Sequence, residues 1–302
     1  MKKENIKFIS NFDSLELDAL IYIPDDIKGI VQIAHGMVDH KSRYIPFLEF
    51  LATHGYVACI HDHRGHGNSV KCKEDLGHFY DKTGKAIVDD VHQISLYLKE
   101  RFKNVPFILF GHSMGSLVVR VYASKYDNDI DKLIVCGSPS NNPATNAALA
   151  LIDLDIKFKG ERHISKTFTS LSTGDYNKAY SNEGNNAWLS VNKQNVIDYN
   201  NDPKCGFPLT LNGYRNLILL MKETYKMDGW VMNKPNLPIL FISGSDDPCA
   251  ISKEKWLEAI DNMKSHGYTN INGKMYEGYR HEILNEDIKE EVFNDILNFI
   301  ND

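Results

Sequence analysis

The sequence has few of the features that mark secreted, membrane-spanning or disulfide-rich proteins. Its 302 residues include only 5 cysteines and 10 prolines, and no run of 18 apolar residues occurs. The cysteines are scattered and lack C-x-x-C spacing, so we expect reduced thiols in a cytoplasmic protein. Without a long apolar run we expect no transmembrane helix. We also expect no signal peptide, because no apolar segment follows the basic opening at Met1–Lys3.

The sequence also lacks a strong charge of one sign. Its net charge is −6, and charges of both signs are spread along the chain without a Lys/Arg cluster. We therefore expect neither a nucleic-acid partner nor a strongly anionic surface as a partner. Neither the P-loop pattern G-x-x-x-x-G-K-[ST] nor a G-x-G-x-x-G after a strand is present, so we expect no nucleotide cofactor.

One stretch has the pattern of a nucleophile elbow. The apolar run 107–110 is typical of a strand buried on both faces of a parallel sheet. Gly-His-Ser-Met-Gly at 111–115 fits G-x-S-x-G, and apolar residues at helical spacing follow it. In such a strand-turn-helix the hydroxyl of Ser113 would be exposed at the tip of a strained turn. The alternative is an ordinary buried strand that ends in a glycine-rich turn.

The remaining apolar segments alternate between strand and helix patterns. Predicted strands are 6–9, 15–23, 30–34, 56–60, 107–110, 133–136, 238–243 and 274–276. This order predicts a mostly parallel α/β sheet with an opening hairpin as its antiparallel edge. Residues 140–228 are helical or irregular in pattern and rich in Asn. We expect a core of 1–139 and 229–302, with 140–228 as a cap insertion over the carboxyl ends of the strands.

A serine nucleophile needs a base and an acid that orients the base. In strand-turn-helix enzymes of this type, these residues follow later strands in the order Ser, acid, His. Asp247 comes after the strand ending at Ser243, and His281 comes after the last predicted strand. Asp246 competes for the acid role, and we prefer Asp247 because the following Pro248 suits a loop that turns its last acid inward. The alternative for this Asp-Asp-Pro is a solvated turn.

Two backbone amides are candidates for binding the oxyanion of an attacked carbonyl. The N–H of Met114 starts the predicted helix after the serine, where the helix dipole would help. The N–H of Met37 follows His35-Gly36 at a strand end and is the candidate second donor. We expect His35 to be packed and hydrogen-bonded, and His112 to be structural or to line the pocket.

The loop His61-Asp62-His63-Arg64-Gly65-His66 resembles the H-x-H-x-D-H cluster of metallo-β-lactamase-like hydrolases. Glycine stands at 65, where that cluster requires Asp, and both ligand number and spacing matter for a metal site. We therefore expect no metal here. We expect instead a rigid loop under the active site, in which Asp62 and Arg64 are paired.

Taken together, these segments resemble the α/β-hydrolase superfamily, and within it serine hydrolases related to monoacylglycerol lipases, lysophospholipases and S33 serine aminopeptidases. The matching segments are 35–44, 62–69, 111–116, 244–248 and 281–286, with further similarity at 188–190 and 202–207. The resemblance implies the α/β-hydrolase fold without a metal or other cofactor. It implies Ser113 as nucleophile, Asp247 as acid, His281 as base, and the Met37 and Met114 amides as the oxyanion hole.

In members that act on glycerol-type substrates, the resemblance further implies that Asp39 and Arg43 help to bind the polar head. Bulky Met37 and Val38 stand where many lipases have small residues. The resemblance therefore does not imply a particular width for the pocket that binds the alcohol group.

We expect an esterase that cleaves monoacylglycerols, lysophospholipids or smaller acyl esters, with the insertion supplying an apolar acyl pocket and transient contact with a lipid surface. An aminopeptidase or amidase is the first alternative. It would need an acid in the insertion to bind a substrate amino terminus, and Glu161, Asp175 and Glu183 are candidates. A non-catalytic ligand-binding relative is the second alternative.

Overall fold

Eight strands form one sheet in the computed structural model, which describes residues 1–170 and 175–302, and of Asp175 only the backbone. The strands are β1 (Lys2–Ile9), β2 (Glu16–Ile23), β3 (Gly29–Ala34), β4 (Tyr56–His61), β5 (Phe107–His112), β6 (Lys132–Cys136), β7 (Ile239–Gly244) and β8 (Ile271–Tyr276). Their order in the sheet is β1-β2-β4-β3-β5-β6-β7-β8. The β1–β2 and β2–β4 pairs are antiparallel and the others are parallel. The predicted fold class, with its antiparallel hairpin edge, is confirmed.

Helices cover both faces of this sheet. They are α1 (Ile45–Thr53), α2 (Ala86–Arg101), α3 (Met114–Tyr126), α4 (Thr145–Lys159), α5 (Lys166–Thr169), α6 (Asp175–Lys178), α7 (Lys193–Asn201), α8 (Leu211–Thr224), α9 (Lys253–Ser265) and α10 (Lys289–Asn301). β3, β4, β5 and β7 are buried along their whole length. Such strands need apolar residues on both faces, which is why they are largely apolar in the sequence.

Each face of the sheet has its own apolar core. On one face α1 and α10 pack together, and the rings of Phe47 and Phe293 lie 4.8 Å apart between centroids. On the other face α2 and α3 bury Ile94 and Leu117 in a second cluster, which also receives residues of α8 and α9. The central strands are thereby removed from solvent, and their carboxyl ends are left as the place where loops meet.

The chain between β6 and β7 contains α4 to α8, and within the residues described there it forms no strand. α8 packs against both α3 and α4. Its start is fixed by Thr210, whose hydroxyl accepts a hydrogen bond from Gly213 N. Within the described residues, no helix is both long enough and apolar enough to cross a bilayer.

The expected pairing of Asp62 with Arg64 is wrong. Asp62 instead accepts hydrogen bonds from Nζ and the backbone N of Lys41, at 2.7 and 2.8 Å. Arg64 is fully buried, and its Nε donates to Asp90 Oδ2 at 2.8 Å while Nη1 donates to Asp13 Oδ2 at 3.1 Å. A buried charge requires a partner held at good geometry, and here other elements supply that partner rather than the neighbouring residue.

The Arg64–Asp90 pair generates a stability prediction. Replacing Asp90 by Ala leaves the Arg64 guanidinium buried with much of its charge uncompensated. We expect the free energy of unfolding in urea to fall by about 3–5 kcal/mol.

Glu100→Ala on the same helix is the matched control. Glu100 lies in an exposed pair with Lys103, so the expected change is within about 0.5 kcal/mol. Equal effects of the two substitutions would contradict a special role for the buried pair.

Candidate active site

Ser113 occupies the turn between β5 and α3 in a conformation that few residues adopt. Its φ is 54° and its ψ is −120°, a combination that persists only where the surroundings enforce it. Two glycines allow this turn. A Cβ on Gly111 would lie 2.2 Å from the Gly115 carbonyl oxygen, and a Cβ on Gly115 would lie 2.0 Å from the Ala34 carbonyl oxygen. Strand and helix backbones therefore approach as closely as the motif predicts.

His281 and Asp247 form a buried pair on the loops after β8 and β7. The Nδ1 of His281 lies 3.0 and 2.9 Å from the two carboxylate oxygens of Asp247. Asp247 also accepts from the backbone N of Cys249 at 2.9 Å and from Ser243 Oγ at 3.2 Å. Asp246 is exposed. The structure thus places Asp247, and not Asp246, against the imidazole.

The electrostatics of this pair follow from burial and proximity. Burial by itself lowers the pKa of His281, but the Asp247 carboxylate outweighs it and the pKa is raised well above the ordinary value. Burial by itself raises the pKa of Asp247, and the facing imidazole holds it below its usual range. An Nδ1–H donated to Asp247 leaves Nε2 as the nitrogen available for proton exchange.

A cavity of about 370 Å³ opens at the carboxyl ends of the strands, and both Ser113 and His281 line it. The Nε2 of His281 contacts Cys249 Sγ at 3.9 Å, and among the described residues no hydrogen bond joins it to Ser113. The indole of Trp188 packs on the imidazole, with 5.1 Å between ring centroids. In enzymes without bound substrate, the hydrogen bond between a serine and its histidine base is often long or poorly aligned.

The two candidate oxyanion amides border the same cavity. Met37 and Met114 both line it. Within the described part of the chain, neither amide N–H donates to a protein acceptor. Met114 is the first residue of α3, so its amide is one of those that a helix leaves without an internal partner. Two N–H groups are therefore available beside Ser113.

Asp39, Arg43 and His112, which the sequence predicts to bind substrate or to line the pocket, differ in position. Asp39 and His112 line the cavity, whereas Arg43 is not among the lining residues. His112 uses both ring nitrogens, with Nδ1 2.9 Å from Tyr44 Oη and Nε2 3.1 Å from the His281 carbonyl oxygen. Burial lowers the pKa of His112 to about 4, so it is neutral at pH 7 and holds the backbone of the His281 loop.

Arg43 binds a carboxylate that the sequence did not single out. Its Nη1 and Nη2 donate to the two carboxylate oxygens of Glu282 at 2.7 and 2.6 Å, and Nη2 also donates to Asn195 Oδ1 at 2.8 Å. Glu282 follows His281 directly and lines the cavity. Adjacency to His281 was the available signal for Glu282. Its partners lie 239 and 87 residues away, and no local pattern could indicate them.

Two further residues at the site were also missed. Glu286 is buried, accepts from Ser190 Oγ at 2.6 Å and from the backbone N of Arg280 at 3.2 Å, and so fixes the loop before His281. Cys249 lies two residues after Asp247, and this spacing could have identified it as a neighbour of the imidazole.

The acids expected of an aminopeptidase lie away from the cavity where the structure describes them. Glu161 pairs with Lys82 at 3.7 Å. Glu183 binds Arg280, with 2.7 Å between Oε1 and Nη2. Neither acid lines the cavity. The side chain of Asp175 lies outside the described residues.

Two groups of three side chains in the described parts of the chain place donor atoms within 4.8 Å of one another, as a metal ion would need. They are Asp247, Cys249 and His281, and His40, Asp202 and Cys205. In each group the imidazole already contacts the carboxylate at 2.9 Å, so these side chains have protein partners without an ion. The histidine loop is in neither group, and burial lowers the pKa of its His61 and His66 to about 3.

The His281–Asp247 pair generates a prediction that does not depend on activity. In Asp247→Asn the carboxylate charge is lost while burial remains, so the pKa of His281 should fall below its ordinary value. An NMR titration of the imidazole signals measures this change. Asp246→Asn is the control and should leave the titration unaltered, because Asp246 is exposed. Equal shifts in both variants, or in neither, would contradict the assignment.

Comparison with known proteins places this chain in a family. The family profile described as "Serine aminopeptidase, S33" matches residues 25–288. Monoacylglycerol lipase from Mycolicibacterium smegmatis is 24% identical over 287 residues, covering 93% of this chain and 91% of that protein. Monoglyceride lipase from Mus musculus is 25% identical over 279 residues, covering 91% and 81%.

A solved structure is similar over the whole chain. The thermostable carboxyl esterase from Bacillus coagulans in complex with glycerol matches with a TM-score of 0.90 and 27% identity, covering 100% of this chain and 98% of that one. The profile match includes both the elbow and the His281 loop. The chain therefore belongs to the S33 serine aminopeptidase family of α/β-hydrolases, and it is an enzyme of the serine hydrolase type.

Proposed function

We propose that this enzyme is a carboxylic ester hydrolase that cleaves monoacylglycerols, lysophospholipids or similar acyl esters. The observation that carries the proposal is the convergence of three features in one cavity. These are a strained Ser113, an Asp247–His281 pair and the amides of Met37 and Met114. The names of the relatives, monoacylglycerol lipase and monoglyceride lipase, support the substrate class.

In the proposed reaction, His281 Nε2 takes the hydroxyl proton of Ser113 while Oγ bonds to the ester carbonyl carbon. The resulting oxyanion accepts hydrogen bonds from the Met37 and Met114 amides. The bond to the alcohol oxygen then breaks, and the imidazolium, stabilised by Asp247, returns the proton to the leaving alcohol. Water, deprotonated by His281, attacks the acyl-enzyme, and the carboxylic acid leaves with Ser113 restored.

The composition of the cavity wall supports an acyl substrate. Apolar side chains of α3, α5 and α8 line it, namely Leu117, Phe168, Leu217, Ile218 and Met221. The carboxylates that line it, Asp39 and Glu282, come from loops at the strand ends. We propose that the acyl chain lies against the helices and the alcohol group near Asp39. Residues 140–228 would then be the cap that completes the acyl pocket.

Ester cleavage is favoured over aminopeptidase activity because the carboxylates that line the cavity are already bound by Arg43. Binding a protonated amino terminus needs a carboxylate without a strong partner. Of the acids that line the cavity, Glu282 is bound twice by Arg43, and Asp39 accepts from Arg43 Nη1 at 3.2 Å. Glu161 and Glu183 lie elsewhere. Because the family is enzymatic, a non-catalytic binding role is not proposed.

The outer surface of α4 supports transient contact with a lipid surface. Leu151, Leu154 and Phe158 share one face of this helix and are 58%, 50% and 80% exposed. Thr145 and Ala148 on the same helix line the cavity. An apolar stripe beside a cavity entrance is suited to interfacial binding. We propose the cytoplasm as the location, since all 5 cysteines are free thiols.

Ser113→Ala removes the proposed nucleophile. We expect kcat for p-nitrophenyl butyrate and for monolauroylglycerol to fall by about 10⁴-fold or more, because the acyl-enzyme cannot form. Initial rates, together with loss of fluorophosphonate labelling, measure the effect.

Ser265→Ala, at an exposed position on α9, is the control and should keep wild-type rates. A Ser113→Ala protein that retains most of its esterase activity would refute the proposal. Faster cleavage of a proline arylamide than of either ester by the wild type would replace it with the aminopeptidase alternative.

The apolar stripe on α4 predicts a substrate-dependent effect. In the triple variant Leu151→Ser, Leu154→Ser, Phe158→Ser, binding to phosphatidylcholine vesicles should weaken because about 1–2 kcal/mol of burial is lost per side chain. Hydrolysis of emulsified monoolein should fall severalfold, whereas hydrolysis of dissolved butyrate ester should not change.

Leu257→Ser is the control, since Leu257 is 42% exposed on α9 and does not line the cavity. If both substrates are affected alike by the triple variant, the stripe has no interfacial role.

A further inference from the structure

The loop that carries the Met37 amide contains a second strained residue. Val38 has φ of 49°, in the left-handed region. A β-branched residue is disfavoured there by roughly 1–2 kcal/mol, so neighbouring groups must hold it in place. Because Met37 precedes Val38, relaxation of this strain would rotate the peptide groups that border the cavity. What holds the loop therefore decides where the Met37 N–H points.

One end of the loop is held from the sheet. The Nδ1 of His35 lies 2.7 Å from the Gly36 carbonyl oxygen, and His35 Nε2 accepts from the backbone N of His63 at 2.9 Å. The Gly36 carbonyl and the Met37 N–H belong to one planar peptide unit and point in opposite directions. The hydrogen bond from His35 to the Gly36 carbonyl therefore turns the Met37 N–H away from the His35 imidazole.

The other end is held by the chain between β6 and β7. The Val38 carbonyl oxygen accepts two hydrogen bonds, from the backbone N of Gly206 at 3.0 Å and from Tyr199 Oη at 3.2 Å. Tyr199 is buried, and burial raises its pKa well above the usual value, so its hydroxyl remains a donor. Two donors on one carbonyl fix the peptide that follows the strained Val38.

The segment that supplies these donors is itself fixed. Asp202 Oδ2 lies 2.9 Å from His40 Nε2, which joins the segment to the same loop at a second point. Gly206 has φ of 63°, and a Cβ there would lie 3.2 Å from Cε1 of Tyr199. The guanidinium of Arg43 lies over the Tyr199 ring, 4.9 Å from its centroid. The two donors therefore act as one rigid support.

We propose that Tyr199 and Gly206 are positioning residues, which hold the Val38 carbonyl and so aim the Met37 N–H at the oxyanion. This inference rests on the proposed ester hydrolase function. It makes residues 199–206 part of the catalytic apparatus, in addition to their place beside the cavity. Neither residue forms or breaks a bond in the reaction, and both act through Met37.

Tyr199→Phe tests the proposal, because it removes one donor and keeps the ring. Losing an oxyanion donor outright lowers kcat by about 10²–10³-fold. Tyr199→Phe keeps the Met37 donor but holds it less firmly. We therefore expect kcat for p-nitrophenyl butyrate to fall by about 5- to 10-fold, with KM within about twofold of wild type. The affinity for a trifluoromethyl ketone, which mimics the oxyanion, should weaken in proportion to kcat/KM, whereas that for the product butyrate should not change.

Tyr56→Phe is the matched control. It removes the hydroxyl of another buried tyrosine, which donates to Oδ1 of Asn301, the last residue of α10, at 2.8 Å. Wild-type kcat is expected. Gly206→Ala provides a second test, since its Cβ would press on Tyr199. We expect it to lower kcat by about 30-fold or more.

The proposal is overturned if both variants keep kcat and ketone affinity within about twofold of wild type. It is also overturned if kcat, KM and the affinities for ketone and product all change together with a lowered melting temperature, because that pattern marks general loss of structure. Failure of the proposed function is recognised separately, since Ser113→Ala would then remain active whatever the Tyr199 variant does.

Discussion

The structure depends on the close approach of the first turn of α3 to the ends of β3 and β5. A Cβ on Gly115 would lie 2.0 Å from the Ala34 carbonyl oxygen, so only glycine permits this contact. Ala34 and Gly111 are register partners in the β3–β5 pair. The turn at Ser113 follows β5 and the loop at Met37 follows β3, and the two strands end at the same height along the sheet. Both candidate oxyanion amides and the serine are placed by one pair of parallel strands and one helix.

Buried carboxylates join the His281 loop to Arg43, which precedes α1, and to residues 190–195 between β6 and β7. Burial alone raises the pKa of Glu282, but Arg43 lowers it to about 2, and Asn195 of α7 donates to the same carboxylate at 2.7 Å. Glu286 binds Ser190 at 2.6 Å and the backbone of Arg280 at 3.2 Å. Removing one partner of such a buried pair leaves an uncompensated charge, which costs about 3–5 kcal/mol. Buried hydrogen bonds therefore link the His281 loop to residues 190–195.

The sequence allowed prediction of those features that local patterns determine. Strands buried on both faces are largely apolar, and loops at the carboxyl ends of parallel strands meet at one edge of the sheet. This is why Ser113, Asp247 and His281 could be predicted to lie at the same edge. The partners of buried charges were not predictable in this way. Asp62 and Arg64 are two residues apart, yet each is paired through a different element, because sheet topology and not sequence distance sets which groups meet in the core. The positions of Tyr199 and Trp188 depend on the same long-range packing.

The helices between β6 and β7 have two roles under the proposed function, and these roles cannot vary independently. Tyr199 lines the cavity and donates to the Val38 carbonyl, while Asn195 of the same helix binds the carboxylate next to His281. A substitution that moves α7 to admit a larger alcohol group would also shift the supports of the Met37 amide and of the His281 loop. Oxyanion stabilisation depends on the position of a donor to within about 0.5 Å. Substitutions in α7 that change alcohol specificity are therefore expected to alter the rate of the chemical step. Helix α8 does not supply the hydrogen bonds that support the Met37 loop and the His281 loop. Substitutions in α8 that change acyl specificity are therefore expected to leave that rate intact.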